Sequence, residues 1–121
     1  MSKRILVIED NADNRRILRV LLVNAGFELI EAVDGEKGLM MAEEHRPDLI
    51  LMDIQLPVLD GYETTRRIKQ NPELRHIPII AVTSYALSGD EIKARESGCD
   101  AYITKPFSPR TVLARIGELL S

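Results

Sequence analysis

The chain of 121 residues is long enough for one domain with a single core and too short for two, so one domain over residues 1–121 is expected. A net charge of -3 offers no basic field for a nucleic-acid backbone, and no apolar run approaches the roughly 20 residues of a membrane span, so neither a direct nucleic-acid partner nor a membrane span is expected. The Met1-Ser2-Lys3-Arg4 start leads straight into a short apolar run instead of a signal-peptide core, and the single Cys99 cannot close an internal disulfide; both point to a cytoplasmic, reducing setting with Cys99 as a buried structural thiol.

Arg4-Ile5-Leu6-Val7-Ile8 is a continuous apolar run stopped by Glu9-Asp10-Asn11, which reads as a central strand followed by an acidic loop. From about Asp13 to Ala25, Ile17, Leu18, Leu21 and Leu22 recur at helical spacing, Asn11 or Asp13 can cap the start, and Gly26 can take the left-handed conformation past the end. Phe27 to Ala32 mixes Glu28 and Glu31 among apolar residues, as a strand nearer the sheet edge would. Asp34-Gly35 opens a second helix with His45-Arg46 in its last turn, and Pro47 ends it. Leu49-Ile50-Leu51-Met52 is a third strand buried on both faces, delivering Asp53 at its carboxyl end.

Asp60-Gly61 begins a third helix whose Tyr62, Thr65 and Ile68 share a face and which Asn71-Pro72 breaks. Ile77 to Val82 is the fourth strand, closed by Thr83-Ser84, with Pro78 near its start. Ser88-Gly89-Asp90-Glu91 has the capping-box form for a fourth helix that stops at Gly98. Ala101 to Thr104 is a short fifth strand, Lys105-Pro106 turns the chain, and Ser108-Pro109 caps a last helix through Leu120. Strand then helix, repeated five times, argues an α/β fold with a doubly wound parallel sheet and helices on both faces.

In such sheets ligands bind at the carboxyl ends of the strands. The residues just past those ends are Glu9 and Asp10, Asp53, Thr83 and Ser84, and Lys105. If strand one lies between strands two and three, Glu9, Asp10 and Asp53 share a pocket. Two unit charges about 4 Å apart repel by roughly 4 kcal/mol at an effective dielectric of 20, so protons or a cation must compensate. An all-oxygen set without His or Cys fits Mg2+ better than zinc. A hydroxyl at Thr83 and an ammonium at Lys105 suit the oxygens of a phosphoryl group, with Asp53 as the nucleophile and Glu9-Asp10 as the metal pair.

With these residues in place, the chain resembles the receiver domains of bacterial two-component response regulators over essentially its whole length. The carriers are Val7 to Asn11, Pro47 to Asp53 with Pro57 and Asp60-Gly61, Val82-Thr83-Ser84, Gly98 to Tyr102, and Thr104-Lys105-Pro106-Phe107. The resemblance implies a flavodoxin-like sheet of order 2-1-3-4-5. It implies Asp53 as phosphoacceptor, Mg2+ held by Glu9 and Asp10 (one of them through water) with Asp53 and the Gln55 backbone carbonyl, and phosphoryl contacts from Thr83 and Lys105. Lys105-Pro106 would be a cis peptide and Tyr102 the aromatic that turns inward with Thr83.

Implied partners are a sensor histidine kinase or histidine phosphotransfer protein upstream, and a downstream kinase, phosphatase or adaptor. These would read the face of the fourth helix, fifth strand and fifth helix, with Arg95, Tyr102 and Arg115. Gln55 and Tyr85 fall where receivers tune dephosphorylation. The segments Gly89-Asp90-Glu91 and Gly98 to Tyr102 are similar to the stand-alone, DivK-like type, though a receiver cut from a longer regulator or hybrid kinase would share these features.

Other readings compete. A hydrolase of the haloacid dehalogenase type needs a second Asp two residues after the nucleophile, and Gln55 stands there. A flavin carrier of similar fold would find its phosphate repelled by Glu9-Asp10. Asp60 reads as a helix cap, Tyr102 taken alone as a half-buried core aromatic, His45 and His76 as surface residues, and Arg15-Arg16 and Arg66-Arg67 as solvated helix faces.

Overall fold

Five parallel strands form one sheet in the order β2-β1-β3-β4-β5. The computed structural model describes residues 2–83 and 90–120; Ser84, Tyr85 and the Ser88-Gly89 half of the expected capping box lie outside the described residues. The elements are β1 (Arg4–Ile8), α1 (Ala12–Asn24), β2 (Glu28–Ala32), α2 (Gly35–His45), β3 (Leu49–Asp53), α3 (Gly61–Gln70), β4 (Ile79–Thr83), α4 (Asp90–Ser97), β5 (Ala101–Thr104) and α5 (Pro109–Leu120).

Alternation along each strand sorts the core into two layers. Ile5, Val7, Leu49, Leu51, Ile80 and Val82 pack on Leu18 and Leu22 of α1 and on Val112 and Ile116 of α5. Their neighbours Leu6, Ile8, Ile50, Met52, Ile79 and Ala81 pack on Ala42, Ile68 and Ala94 of α2, α3 and α4. Helices on both faces are why β3 and β4 are buried at every position. β2 is one of the two edge strands and is only partly covered, as its two glutamates foretold.

Local signals set most boundaries. Asn11, Asp34 and Asp60 each accept a backbone N–H one turn on, from Asn14, Lys37 and Glu63, and so cap α1, α2 and α3. Ser108 Oγ accepts from Thr111 N at 3.1 Å ahead of Pro109, the first residue of α5. Gly26 takes φ 93° just past α1. Arg46 departs from expectation: it is not in the last turn of α2 but beyond it, in the left-handed region at φ 46°. The proline that follows disfavours the right-handed helical conformation at the residue before it. β4 likewise starts at Ile79, after Pro78, which has no N–H for the ladder. Among the described residues no helix is long and apolar enough to cross a membrane.

Candidate functional site

Parallel register aligns the carboxyl ends of β1, β3, β4 and β5 on one edge. Ile8 pairs with Met52, Asp53 with Val82, and Thr83 with Thr104. Asp53 follows Leu49 and Leu51, and Glu9 follows Ile5 and Val7, so both carboxylates leave the sheet on the side of α1 and α5. One carboxylate oxygen from each of Glu9, Asp10 and Asp53 lies within 4.8 Å of the others. Glu9 and Asp53 are only 2% and 5% exposed, whereas Asp10 faces solvent.

Lys105 enters from the turn after β5 and donates from Nζ to Glu9 Oε1 at 2.7 Å and to Asp53 Oδ2 at 3.3 Å. Backbone amides complete the ring. Asn11 N–H reaches Glu9 Oε2 at 3.2 Å, and Gln55 N–H reaches Asp53 Oδ1 at 3.0 Å. Burial, then the adjacent Asp53, pushes the Glu9 carboxyl above its ordinary range against the pull of Lys105 and the Asn11 amide. Burial alone would lower the Lys105 ammonium, but Glu9 and Asp53 together outweigh it and raise its pKa.

Three acids facing one ammonium leave a deficit of positive charge. The donor set is all oxygen, with two members buried and one open to solvent, and this fits a hard divalent cation that keeps some of its water. Thr83 sits at the same edge, 1% exposed, with its carbonyl accepting from Lys105 N at 2.6 Å. By strand parity with Ile79 and Ala81 its side chain leaves from the other face. The Lys105-Pro106 peptide is cis. Asn14, Ile17, Lys105, Pro106 and Phe107 line an open groove of about 410 Å3 beside the cluster.

Tyr102 is half-buried, packed against the α2–α4 layer, and lines a cavity of about 200 Å3 with Arg95, Cys99 and Arg115. Cys99 is buried 3.7 Å from Thr65 Oγ1, and burial pushes its thiol up. Asp60 caps α3.

Two site residues escaped the sequence reading. Arg15 is not on a solvated face: its side chain is 18% exposed and Nη1 donates to the carbonyls of Glu9 and Asp10 at 2.9 and 3.0 Å. Its partner in the doublet, Arg16, is solvated as expected, at 68%. The available signal was position, since a first-turn cation just after an acidic loop can fold back on it. Gly61 was assigned only to a helix start. A Cβ there would stand 2.5 Å from Asp53 O and 2.7 Å from Ile54 Cα, so α3 approaches the acid's own backbone as only glycine permits.

Known proteins resemble this chain in sequence and fold. The model of the response regulator receiver domain matches residues 5–117. The polar-differentiation response regulator DivK of Brucella anthropi is 50% identical over 98% of this chain and 99% of its own. Among solved structures, the receiver domain of the Pseudomonas aeruginosa sensor histidine kinase PA1611, with a magnesium ion coordinated in its active-site cleft, superposes with a TM-score of 0.93. It is 36% identical and covers 99% of this chain and 98% of that one. The Vibrio cholerae chemotaxis protein CheY4 gives a TM-score of 0.93 at 26% identity, over 99% and 100% of the two chains. A family match from the first strand into the last helix, with relatives alike over their whole length, makes this chain a member of the response regulator receiver domains, the signalling modules of two-component systems.

Proposed function

We propose that residues 1–121 act as one cytoplasmic receiver domain that takes a phosphoryl group from a phosphohistidine onto Asp53 and thereby changes which partner it binds. The observation that carries this is the three-carboxylate cluster within 4.8 Å, closed by Lys105. In the transfer, an Asp53 carboxylate oxygen forms the new O–P bond as the N–P bond of the phosphohistidine breaks, and the imidazole leaves with the bonding pair. An ionised carboxylate is already the attacking species, so the step calls for no general base. Catalysis is then positioning and charge neutralisation.

Glu9, Asp10 and Asp53, with the Gln55 carbonyl, would hold Mg2+, whose chemistry is to neutralise phosphoryl oxygens as charge develops there. Lys105 contributes the second positive charge, and the Thr83 hydroxyl, which leaves from the other face of the sheet, would turn over the strand ends to hydrogen-bond the transferred group. The donor is a sensor histidine kinase or histidine phosphotransfer protein, and the groove beside Lys105, floored by half-exposed Ile17, offers it an apolar seat. Thr83 and Tyr102 are the switch pair, and a downstream kinase, phosphatase or adaptor reads the α4-β5-α5 face through Arg95, Tyr102 and Arg115. Beyond its own phosphorylation and slow dephosphorylation the chain turns over no substrate, in keeping with Gln55 where a hydrolase would hold its general acid. Incubation with Mg2+ and a small phosphodonor should add one phosphoryl group by intact mass, and Asp53→Asn should add none. An equal gain in the variant would refute the assignment.

A further inference from the structure

The acidic loop carries a constraint that lies outside its carboxylates. Carbonyls of consecutive residues point in opposite directions in an extended chain, yet those of Glu9 and Asp10 both accept from Nη1 of Arg15, at 2.9 and 3.0 Å. The shared donor holds the turn between these residues, and with it the backbone torsions from which both carboxylates depart. The first backbone bond of α1 runs from Arg15 N to Asn11 O, so both carbonyls lie ahead of the helical ladder. Arg15 is itself braced. Glu31 of β2 stands 3.7 Å from its Nε while holding Arg19 through two bonds of 2.8 Å.

We infer that Arg15 is a positioning residue for the divalent cation: it improves cation affinity by fixing the Glu9-Asp10 backbone, although its own charge repels the ion. The inference rests on the proposed metal site. Removing the side chain has two effects of opposite sign. Loss of the tether weakens binding, and loss of a positive charge near three carboxylates strengthens it. Partners that orient metal ligands are commonly worth tenfold or more in affinity, and Arg15 meets the loop through the Glu9 and Asp10 carbonyls, not through their carboxylates, so the tether dominates.

The test is a Mn2+ titration of the whole chain by electron paramagnetic resonance at fixed ionic strength, with thermal unfolding in EDTA alongside. Arg15→Met should bind Mn2+ roughly tenfold more weakly while still unfolding cooperatively in EDTA, and Arg15→Lys, whose ammonium can bridge the same carbonyls, should return to within about threefold of the parent. A bare charge would oppose binding, so rescue by Lys reports the tether. Parental or tighter affinity in Arg15→Met overturns the inference, as does an Arg15→Lys variant no better than Arg15→Met. Should Arg15→Met not fold, Arg15→Gln, too short to reach, carries the same expectation and the same refutation. Asp10→Asn separates the two levels: if it keeps parental affinity the metal site itself fails, whereas if it loses affinity and Arg15→Met does not, only the role of Arg15 fails.

Discussion

Asp10→Asn should stabilise the protein without metal and cripple its response to Mg2+, so that the stability order of parent and variant inverts. At 4.8 Å, the upper bound on the Asp10 separations, a pair of like charges repels by about 0.9 kcal/mol at the dielectric of water and about 3.5 kcal/mol at an effective 20. Asp10 is exposed, which places each of its two repulsions near the lower figure, and Lys105 offsets part of the sum. Neutralising it should therefore gain about 1 kcal/mol in EDTA, a rise of about 3–5 °C in Tm for a chain of this size. At 100 times the parent's Kd, Mg2+ adds about 2.7 kcal/mol to the parent, while a site a hundredfold weaker gains about 0.4 kcal/mol. The parent should then lead by about 1.3 kcal/mol. Urea denaturation with EDTA and with Mg2+ measures both arms. A variant no more stable in EDTA would show that the repulsion is absent, and equal Mg2+ gains would remove Asp10 from the ligand set.

The raised pKa of Glu9 predicts a pH dependence: its contribution to stability is fully present below its unfolded value of about 4.5 and is lost as pH rises through the native value. Urea midpoints in EDTA should accordingly show this loss on the alkaline side of pH 4.5, and Glu9→Gln should remove it; an unaltered profile in that variant would assign the effect elsewhere. Lys105→Met strips the partner from two buried carboxylates and should cost about 3 kcal/mol in EDTA, while Mg2+ binds more tightly because no ammonium competes for Glu9. Calorimetry showing weaker Mg2+ binding would contradict that competition. Gly61→Ala drives a Cβ into Asp53 O and Ile54 Cα, backbone atoms that cannot swing aside, and should cost about 1–3 kcal/mol and slow phosphorylation. Parental stability by urea denaturation would show that α3 can retreat.

Legibility followed the range of the interactions involved. β1, β3 and β4 announced themselves because a strand covered by helices on both faces is apolar along its interior, and β2 because an edge tolerates Glu28 and Glu31. Caps at Asn11, Asp34, Asp60 and Ser108 are local hydrogen bonds written within four residues of sequence. Strand order is set by pairing between distant segments, so the residue pattern left it open and only the family resemblance supplied 2-1-3-4-5. Within the candidate site, the acids and Lys105 were readable because a charge at the end of an apolar run has few other reasons to be there. Arg15 and Gly61 were not, since one acts through backbone carbonyls that any sequence would provide and the other through the space it leaves empty. Arg46 was misplaced by one turn position because a neighbour's ring, not its own charge, decides its backbone.

The most direct test of the central claim is chemical location of the phosphoryl group. After phosphorylation with Mg2+ and a small phosphodonor, borohydride reduces an aspartyl phosphate to homoserine, and peptide mass mapping finds the residue. The expected product is homoserine at position 53, absent when EDTA replaces Mg2+. Reduction at Asp10, a reduced Glu9, or a phosphoryl group retained on His45 or His76 would contradict the assignment of Asp53 as the acceptor.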